Sequence, residues 1–289
     1  MEKIAIIGLG LMGGSIAKAL KKTKKYKIVG FDISKSVLSL AKDGGFVDEI
    51  WNGTDKLDSD ITVLALSPSL TEEFIKNNIG LLKENSILTD ICGVKEHICE
   101  FAQAKAEQYN INYVGGHPMA GRELSGFLNS VENLFINRSY IFTKTQKTNE
   151  EALEAVSEMA YDLGCSDITI TTPKKHDEMI AYTSQLPHIL AGAYVKSPAS
   201  DEHKGFSAGS YHDVSRVASV DENLWSELFL LNKDNLIQEI DTLLQNIIEY
   251  KNALLNKDKQ RVLNAIKEGR ILKERDIIKN GEEKPHKFG

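Results

Sequence analysis

Cysteine is scarce in this 289-residue chain: Cys92, Cys99 and Cys165 form an odd set without C-x-x-C spacing. That pattern excludes a disulfide framework or a cysteine-built metal centre and suits a reducing compartment. Long apolar runs are missing too. No stretch reaches the roughly 18 residues of a membrane span. The opening MEKIAIIGLG passes from two charges into a run too short and glycine-rich for a secretory signal. Nor is there a large excess of one charge. With 35 Lys and Arg against 41 Asp and Glu, the net charge is −6. Nucleic acid and anionic membranes are therefore not expected partners. The lysines Lys21, Lys22, Lys24 and Lys25 read as a solvated helix end, where cations complement the dipole. These absences describe a soluble, cytoplasmic protein.

What is present is a folded chain, 42% hydrophobic and 26% charged, of a length that predicts two domains at about 100–200 residues each. Short runs at Ile4–Ile7, Lys27–Phe31, Ile61–Leu66 and Ser86–Thr89 read as buried parallel strands. Helical patterns at Met12–Lys22, Lys35–Asp43, Thr71–Leu82 and Lys95–Tyr109 alternate with them. Further strands are expected at Asn112–Val114, Ser139–Thr143 and Asp167–Thr171, with a helix over Glu150–Leu163 before the last. The order predicts an α/β fold, a doubly wound sheet over residues 1–172. After Thr172 the texture becomes all-α. Between Gly209 and Gly269 there is neither glycine nor proline, and apolar residues from Leu224 to Leu254 recur at three- and four-residue steps. A helix of thirty-odd residues would be roughly 50 Å long. Residues 173–289 are thus expected to form a helical domain that pairs two chains into a homodimer, with a frayed tail after Lys273.

Gly8-Leu-Gly-Leu-Met-Gly13 is a G-x-G-x-x-G sequence that follows one strand and opens a helix. Gly8 permits the turn, Gly10 admits a pyrophosphate to the backbone, and Gly13 allows close helix–strand packing. Leu11 and Met12 stand at the helix start, whose free N–H groups favour phosphate; Gly14 and Ser15 extend the small-residue surface. Asp32, nineteen residues beyond Gly13 at a strand end, accepts ribose hydroxyls and repels a 2′-phosphate. With only Lys35 as a nearby cation, NAD is expected over NADP. Ser67, after the third strand, joins the cofactor candidates. The pattern defines a Rossmann-type dinucleotide site.

Three downstream residues are candidates for chemistry: His117 in Gly115-Gly-His-Pro-Met-Ala-Gly121, His188 in Gln185-Leu-Pro-His188, and Arg216 after Gly209-Ser-Tyr-His-Asp-Val-Ser215. Gly115, Gly116 and Gly121 leave room for a ligand beside the imidazole. Taken singly, His117 reads equally as a structural histidine, His188 as a core or helix-surface residue and Arg216 as a surface cation. Taken in order, and with Thr89-Asp-Ile-Cys-Gly-Val-Lys95 and Gly116-His-Pro-Met-Ala-Gly-Arg-Glu-Leu-Ser-Gly126, they resemble the prephenate/arogenate dehydrogenase family along nearly the whole chain.

The resemblance implies NAD-dependent oxidation of a cyclohexadienyl dicarboxylate, in which hydride leaves C4, the 4-hydroxyl loses its proton, and CO2 departs as the ring becomes aromatic. No metal is implied. By motif position His117 is the base, Arg216 binds a carboxylate, His188 lines the pocket, Glu123 organises polar groups, and Gly209 belongs to the substrate motif. Arg122 either reads the substrate side chain or faces solvent. Prephenate is the expected substrate and arogenate, with an amine in place of the keto group, the alternative. The family's usual serine is Gly93 here, so water, Cys92 or another group has to orient His117. A β-hydroxyacid dehydrogenase would share the opening glycine motif but needs a helix lysine in a Gly-rich setting, which Lys174, Lys175 and Lys196 lack. A non-catalytic NAD-sensing regulator would have no need of His117, His188 and Arg216 together.

Overall fold

The computed structural model describes residues 2–122 and 124–280. Strand β1 (Glu2–Ile7) lies inside the sheet between two neighbours, and its Ile4, Ala5, Ile6 and Ile7 are all buried. Alternation sends Ile4 and Ile6 into one core layer and Ala5 and Ile7 into the other, as a strand covered on both faces requires. The sheet has the order β3-β2-β1-β4-β5-β6-β7-β8, with β2 (Tyr26–Phe31), β3 (Glu49–Ile50), β4 (Ile61–Leu64), β5 (Ile87–Asp90), β6 (Asn112–Pro118), β7 (Ser139–Thr143) and β8 (Asp167–Thr171). Pairing is parallel from β3 across to β6, antiparallel between β6 and β7, and parallel again at β8. Helices α1 (Leu11–Thr23) and α5 (Glu150–Asp162) cover one face, and α3 (Pro68–Asn78) and α4 (Glu96–Gln108) the other. Helix α2 (Lys35–Asp43) connects β2 to β3.

Two local expectations change. β6 does not end at Val114 but runs on to Pro118, because it exchanges its parallel partner β5 for antiparallel β7, with His117 opposite Ile141. Gly115 and Gly116, expected to leave room for a ligand, instead let the strand approach its neighbours. A Cβ on Gly115 would lie 2.4 Å from Thr143 Oγ1, and one on Gly116 2.7 Å from the Asp90 carbonyl oxygen. Only Gly121 of the three is open.

Beyond β8, Thr172 caps α6 (Pro173–Ile180) by accepting from the Lys175 amide at 3.2 Å. A π-helical turn, Ala181–Gln185, leads into α7 (Leu186–Tyr194), whose first turn holds Pro187. The wider turn accommodates a proline that has no N–H and crowds the preceding carbonyl. Helices α8 (Gly209–Ser215), α9 (Glu222–Leu231), α10 (Lys233–Leu255) and α11 (Lys259–Asn280) follow. The expected single helix of thirty-odd residues, Leu224–Leu254, is therefore interrupted. Asn232 breaks it where its buried side chain turns inward to donate to the Asp177 carbonyl and to Gln185 Oε1, at 2.9 and 2.8 Å. Lys257, with φ +52°, separates α10 from α11, and Asp258 caps α11 by accepting from the Arg261 amide. Helix α11 also continues past Lys273, where a frayed tail was expected.

The chain divides into two compact units at Leu236/Ile237. The first contains the sheet and α6–α9. The second, α11 and most of α10, exposes large apolar side chains including Leu244, Ile247, Ile248, Leu254, Leu263, Ile266 and Leu272. Among the described residues no helix is long and apolar enough to cross a membrane. Replacing Asn232 by leucine leaves the Asp177 carbonyl and Gln185 Oε1 without their donor. Urea unfolding is expected to show a loss of about 1–3 kcal/mol.

Candidate active site

The glycine turn is shaped by contact. Gly8 has φ +91°, and a Cβ on it would meet the Ala65 carbonyl oxygen at 2.6 Å, so both conformation and space demand glycine. A Cβ on Gly13 would lie 1.9 Å from the Gly8 carbonyl oxygen, whereas one on Gly10 would meet nothing within 4 Å. Helix α1 therefore packs tightly against the turn while the backbone at Gly10 stays open. Its first turn, Leu11, Met12 and Gly13, has no side-chain cap and no acidic residue, leaving an uncompensated positive dipole end. Asp32 braces this turn: one oxygen accepts from the Leu9 amide and the other from the Ser34 amide, both at 2.8 Å. Each oxygen retains a lone pair for a further donor.

Other residues near the turn serve the scaffold. Gly14 packs under Phe127 and Ser130, and Ser15 Oγ accepts from the Val131 amide at 3.0 Å. Neither extends an open phosphate surface. Ser67 caps α3 by accepting from the Leu70 amide at 3.4 Å, and Glu227 of α9 accepts from the Ser69 amide of the same turn. Lys21, Lys22 and Lys25 pair with Asp48, Glu132 and Asp162.

His117 lies near the C-terminal end of β6, on the same sheet edge as the glycine turn. It is half-buried. Its Nδ1 is 2.8 Å from Nε2 of His176, whose Nδ1 is 2.7 Å from Asp177 Oδ1. The Asp177 oxygens also accept from the Lys95 and Glu96 amides, each at 2.8 Å, at the N-terminus of α4. His176 and Asp177 are each 2% exposed. The group that orients His117 in the absence of a serine at position 93 is thus His176. Cys92 faces Thr71 and the Leu66 carbonyl instead. His117 Nε2 is left towards Gly93, where an added Cβ would be 3.8 Å away.

Beneath the histidines lies a fully buried ion pair, Lys95 with Asp90. Asp90 also accepts from Tyr113 Oη at 2.6 Å and from the Cys92 amide at 2.8 Å. Burial alone would push the Lys95 ammonium down, but Asp90 at contact holds it above its ordinary value. Burial, with His176 and Lys95 nearby, pushes His117 well below the usual 6.5, and burial lowers His176 as well. Among the described residues no three His, Cys, Asp or Glu side chains converge as a metal site.

His188 of α7 is also half-buried; its Nδ1 donates to the Val217 carbonyl at 2.6 Å, and its ring lies 3.8 Å from Trp225, centroid to centroid. The Val217 contact ties it to the turn Arg216–Ala218, which presents Arg216 at the surface. Trp225 and Leu228 share one face of α9, and Leu228 stands 3.5 Å from the position of a Cβ on Gly93. One helix face therefore links His188 to the surroundings of His117. Gly209 opens α8 with free space around it. Arg122 is exposed and lines a cleft of about 400 Å³ with Arg138, Met119 and Leu134. Glu123 lies outside the described residues.

His176, Asp177 and Lys95 were not singled out from sequence as site residues. The available signal was an adjacent His-Asp pair on a helix twelve residues before His188, in a chain with seven histidines.

An open glycine turn on a parallel sheet, with a held imidazole on the same edge, defines a dinucleotide-dependent oxidoreductase. Residues 16–168 match the prephenate dehydrogenase nucleotide-binding domain and residues 172–268 the prephenate dehydrogenase dimerization domain. The chain belongs to the prephenate dehydrogenase family. It is 30% identical over 291 residues to a prephenate dehydrogenase of Lactococcus lactis subsp. cremoris, covering 97% of this chain and 79% of the relative. The structure resembles that of Aquifex aeolicus prephenate dehydrogenase in complex with hydroxyphenyl propionate and NAD+, with TM-score 0.85, 29% identity and 95% and 98% of the two chains covered. It also resembles Synechocystis arogenate dehydrogenase, with TM-score 0.78, 25% identity and coverages of 94% and 99%. Family membership displaces the β-hydroxyacid dehydrogenase reading.

Both His117 and His176 are held towards the neutral form in the folded protein. Below about pH 6.5 the unfolded chain takes up protons that the folded state resists, so their contribution lowers stability as pH falls. Urea unfolding is expected to give a lower midpoint at pH 5.5 than at pH 7.5, and His117→Gln should remove part of that decline.

Proposed function

We propose that this chain is an NAD-dependent prephenate dehydrogenase, converting prephenate to 4-hydroxyphenylpyruvate in tyrosine biosynthesis. The observation that carries the reading is the imidazole of His117, held from behind by His176 with Nε2 free, on the sheet edge where the glycine turn opens. The turn fits a dinucleotide. Gly10 has no neighbour that would block a pyrophosphate, and the first turn of α1, Leu11, Met12 and Gly13, offers its amides to phosphate. Asp32 keeps lone pairs for ribose hydroxyls. Ile33, 95% exposed just beyond it, offers apolar surface to an adenine. Ser67 borders the same edge.

Bound NAD+ supplies the hydride acceptor. His117 Nε2 takes the proton of the 4-hydroxyl, and a neutral imidazole is in the correct form to do so at pH 7. Arg216 pairs with a substrate carboxylate, for which a guanidinium has matching geometry. His188, tied to Val217 through its Nδ1, lines the substrate pocket, and Glu123, Arg122 and Gly209 complete the substrate set. Loss of the ring carboxylate as CO2 makes the ring aromatic and drives the reaction.

In this reading residues 1–172 hold the cofactor, and residues 173–289 bind substrate and form a cytoplasmic homodimer through the exposed apolar side chains of α10 and α11. Sedimentation at micromolar concentration is expected to show a dimer. Two polar substitutions there, Leu244→Lys with Ile248→Lys, should shift it towards monomer.

Prephenate and arogenate assayed against NAD+ and NADP+ test the activity. Prephenate with NAD+ should give the highest kcat/KM. Higher turnover of arogenate would favour the reading carried by the arogenate dehydrogenase likeness, and NAD binding without reduction would favour a regulator. His117→Ala should lower kcat by roughly 10²–10⁴-fold, whereas Arg216→Ala should mainly raise the KM for substrate.

A further inference from the structure

The contacts of His176 determine more than the direction in which His117 points. Asp177 is a carboxylate whose two oxygens already accept from the Lys95 and Glu96 amides, so towards His176 it can only accept. The hydrogen on His176 therefore sits on Nδ1, and its Nε2 carries a lone pair. That lone pair lies 2.8 Å from His117 Nδ1. His117 must then be protonated at Nδ1 to make the bond, and its Nε2 becomes the unprotonated nitrogen. One carboxylate at a helix end thus determines the tautomer of an imidazole two groups away.

We propose that His176 is a positioning residue that, backed by Asp177, holds His117 in the Nδ1–H tautomer required of the base and thereby stands in for the hydroxyl absent at Gly93. The proposal rests on the reading of His117 as the base and extends it to a residue that does not touch substrate. During turnover the substrate O–H bond breaks and an N–H bond forms at His117 Nε2, giving an imidazolium whose Nδ1–H still donates to His176. No proton has to leave the pair until product departs.

The surroundings are consistent with this role. The ionisable groups around His176 are Asp177 on its own helix, His117 from β6, and Asp90 and Lys95 from the β5–α4 connection. Lys95 disfavours a second positive charge, and burial keeps His176 neutral, so its Nε2 lone pair stays available. Asp177 is itself fixed from outside the site, because its carbonyl accepts from Asn232 at 2.9 Å. The relay cannot slacken without disturbing the junction of α9 and α10.

The test compares wild type with His176→Leu and His176→Gln. Leucine removes the acceptor; glutamine offers an oxygen that accepts from His117 Nδ1–H but cannot become an imidazolium. The ring-nitrogen NMR signals of ¹⁵N-labelled His117 report the tautomer without substrate. Steady-state kinetics with prephenate and NAD+, and NAD+ affinity by fluorescence titration, complete the comparison. The expected result is Nδ1–H in wild type and His176→Gln and loss of that preference in His176→Leu. With it should come a fall in kcat of at least about tenfold for leucine, recovered to within about threefold by glutamine, at unchanged NAD+ affinity and with substrate KM within twofold. An Nε2–H tautomer in the wild type overturns the proposal, as does a leucine variant with wild-type kcat or a glutamine variant no better than leucine. If His176→Leu fails to fold, the wild-type tautomer and the glutamine variant still decide. Absence of turnover by the wild type would refute the assigned substrate and leave the tautomer measurement to judge the relay.

Discussion

The arrangement of this molecule depends on the carboxylate of Asp177. A buried carboxylate is tolerated only with its acceptor sites filled, and the donors here come from separate parts of the chain. Two are the first amides of α4, where the helix dipole favours an anion. A third is His176, which reaches on to His117 at the sheet edge. The backbone of the same residue accepts from Asn232, and Asn232 also engages Gln185, whose amide donates to the Leu228 carbonyl. Sheet, base and following helices therefore meet at one side chain. Moving any of them would leave a charge or a polar group buried without a partner.

Electrostatics at the site work against the character of the whole chain. A net charge of −6 repels dinucleotides and dicarboxylates at long range, yet the site is organised by local groups of the opposite sense. The bare first turn of α1 presents positive dipole, Arg216 stands at the surface, and Lys95 is buried next to the histidines. Lys95 is tolerated there because Asp90 neutralises it, and Tyr113 and the Cys92 amide satisfy that carboxylate in turn. The Lys95 ammonium, close to both rings, adds to burial in keeping the imidazoles neutral.

The parts legible in advance were those whose constraint is local. The glycine turn could be read because each glycine answers a requirement within a few residues: a positive φ at Gly8, an open backbone at Gly10, contact with the turn at Gly13. Strands of the parallel sheet were legible from short β-branched runs, since both faces of each are buried. By contrast, Gly115 and Gly116 have the same composition signal as a ligand loop, and only their neighbours Thr143 and Asp90 show that they serve strand packing. The break in the long apolar pattern, and the one just after it, lack glycine and proline altogether. Asn232 interrupts the pattern through a tertiary hydrogen bond, and Lys257 ends the helix through a left-handed backbone conformation that periodicity does not encode.

The sequence by itself determined the class of fold, the dinucleotide turn, the approximate order of elements and the histidine whose motif carries the chemistry. These follow from period, spacing and residue type, which act over one or two turns of chain. The tertiary structure alone decided that His117 is the end of a strand, that His176 and Asp177 stand behind it, and that Lys95 lies beneath. Fifty-nine residues separate the two histidines, and eighty-two separate Asp177 from the Lys95 amide it caps. Interactions over such distances exist only after the sheet has closed its core and the helices have docked. A side chain's state of protonation and direction belong to that assembled environment, and no local pattern carries them.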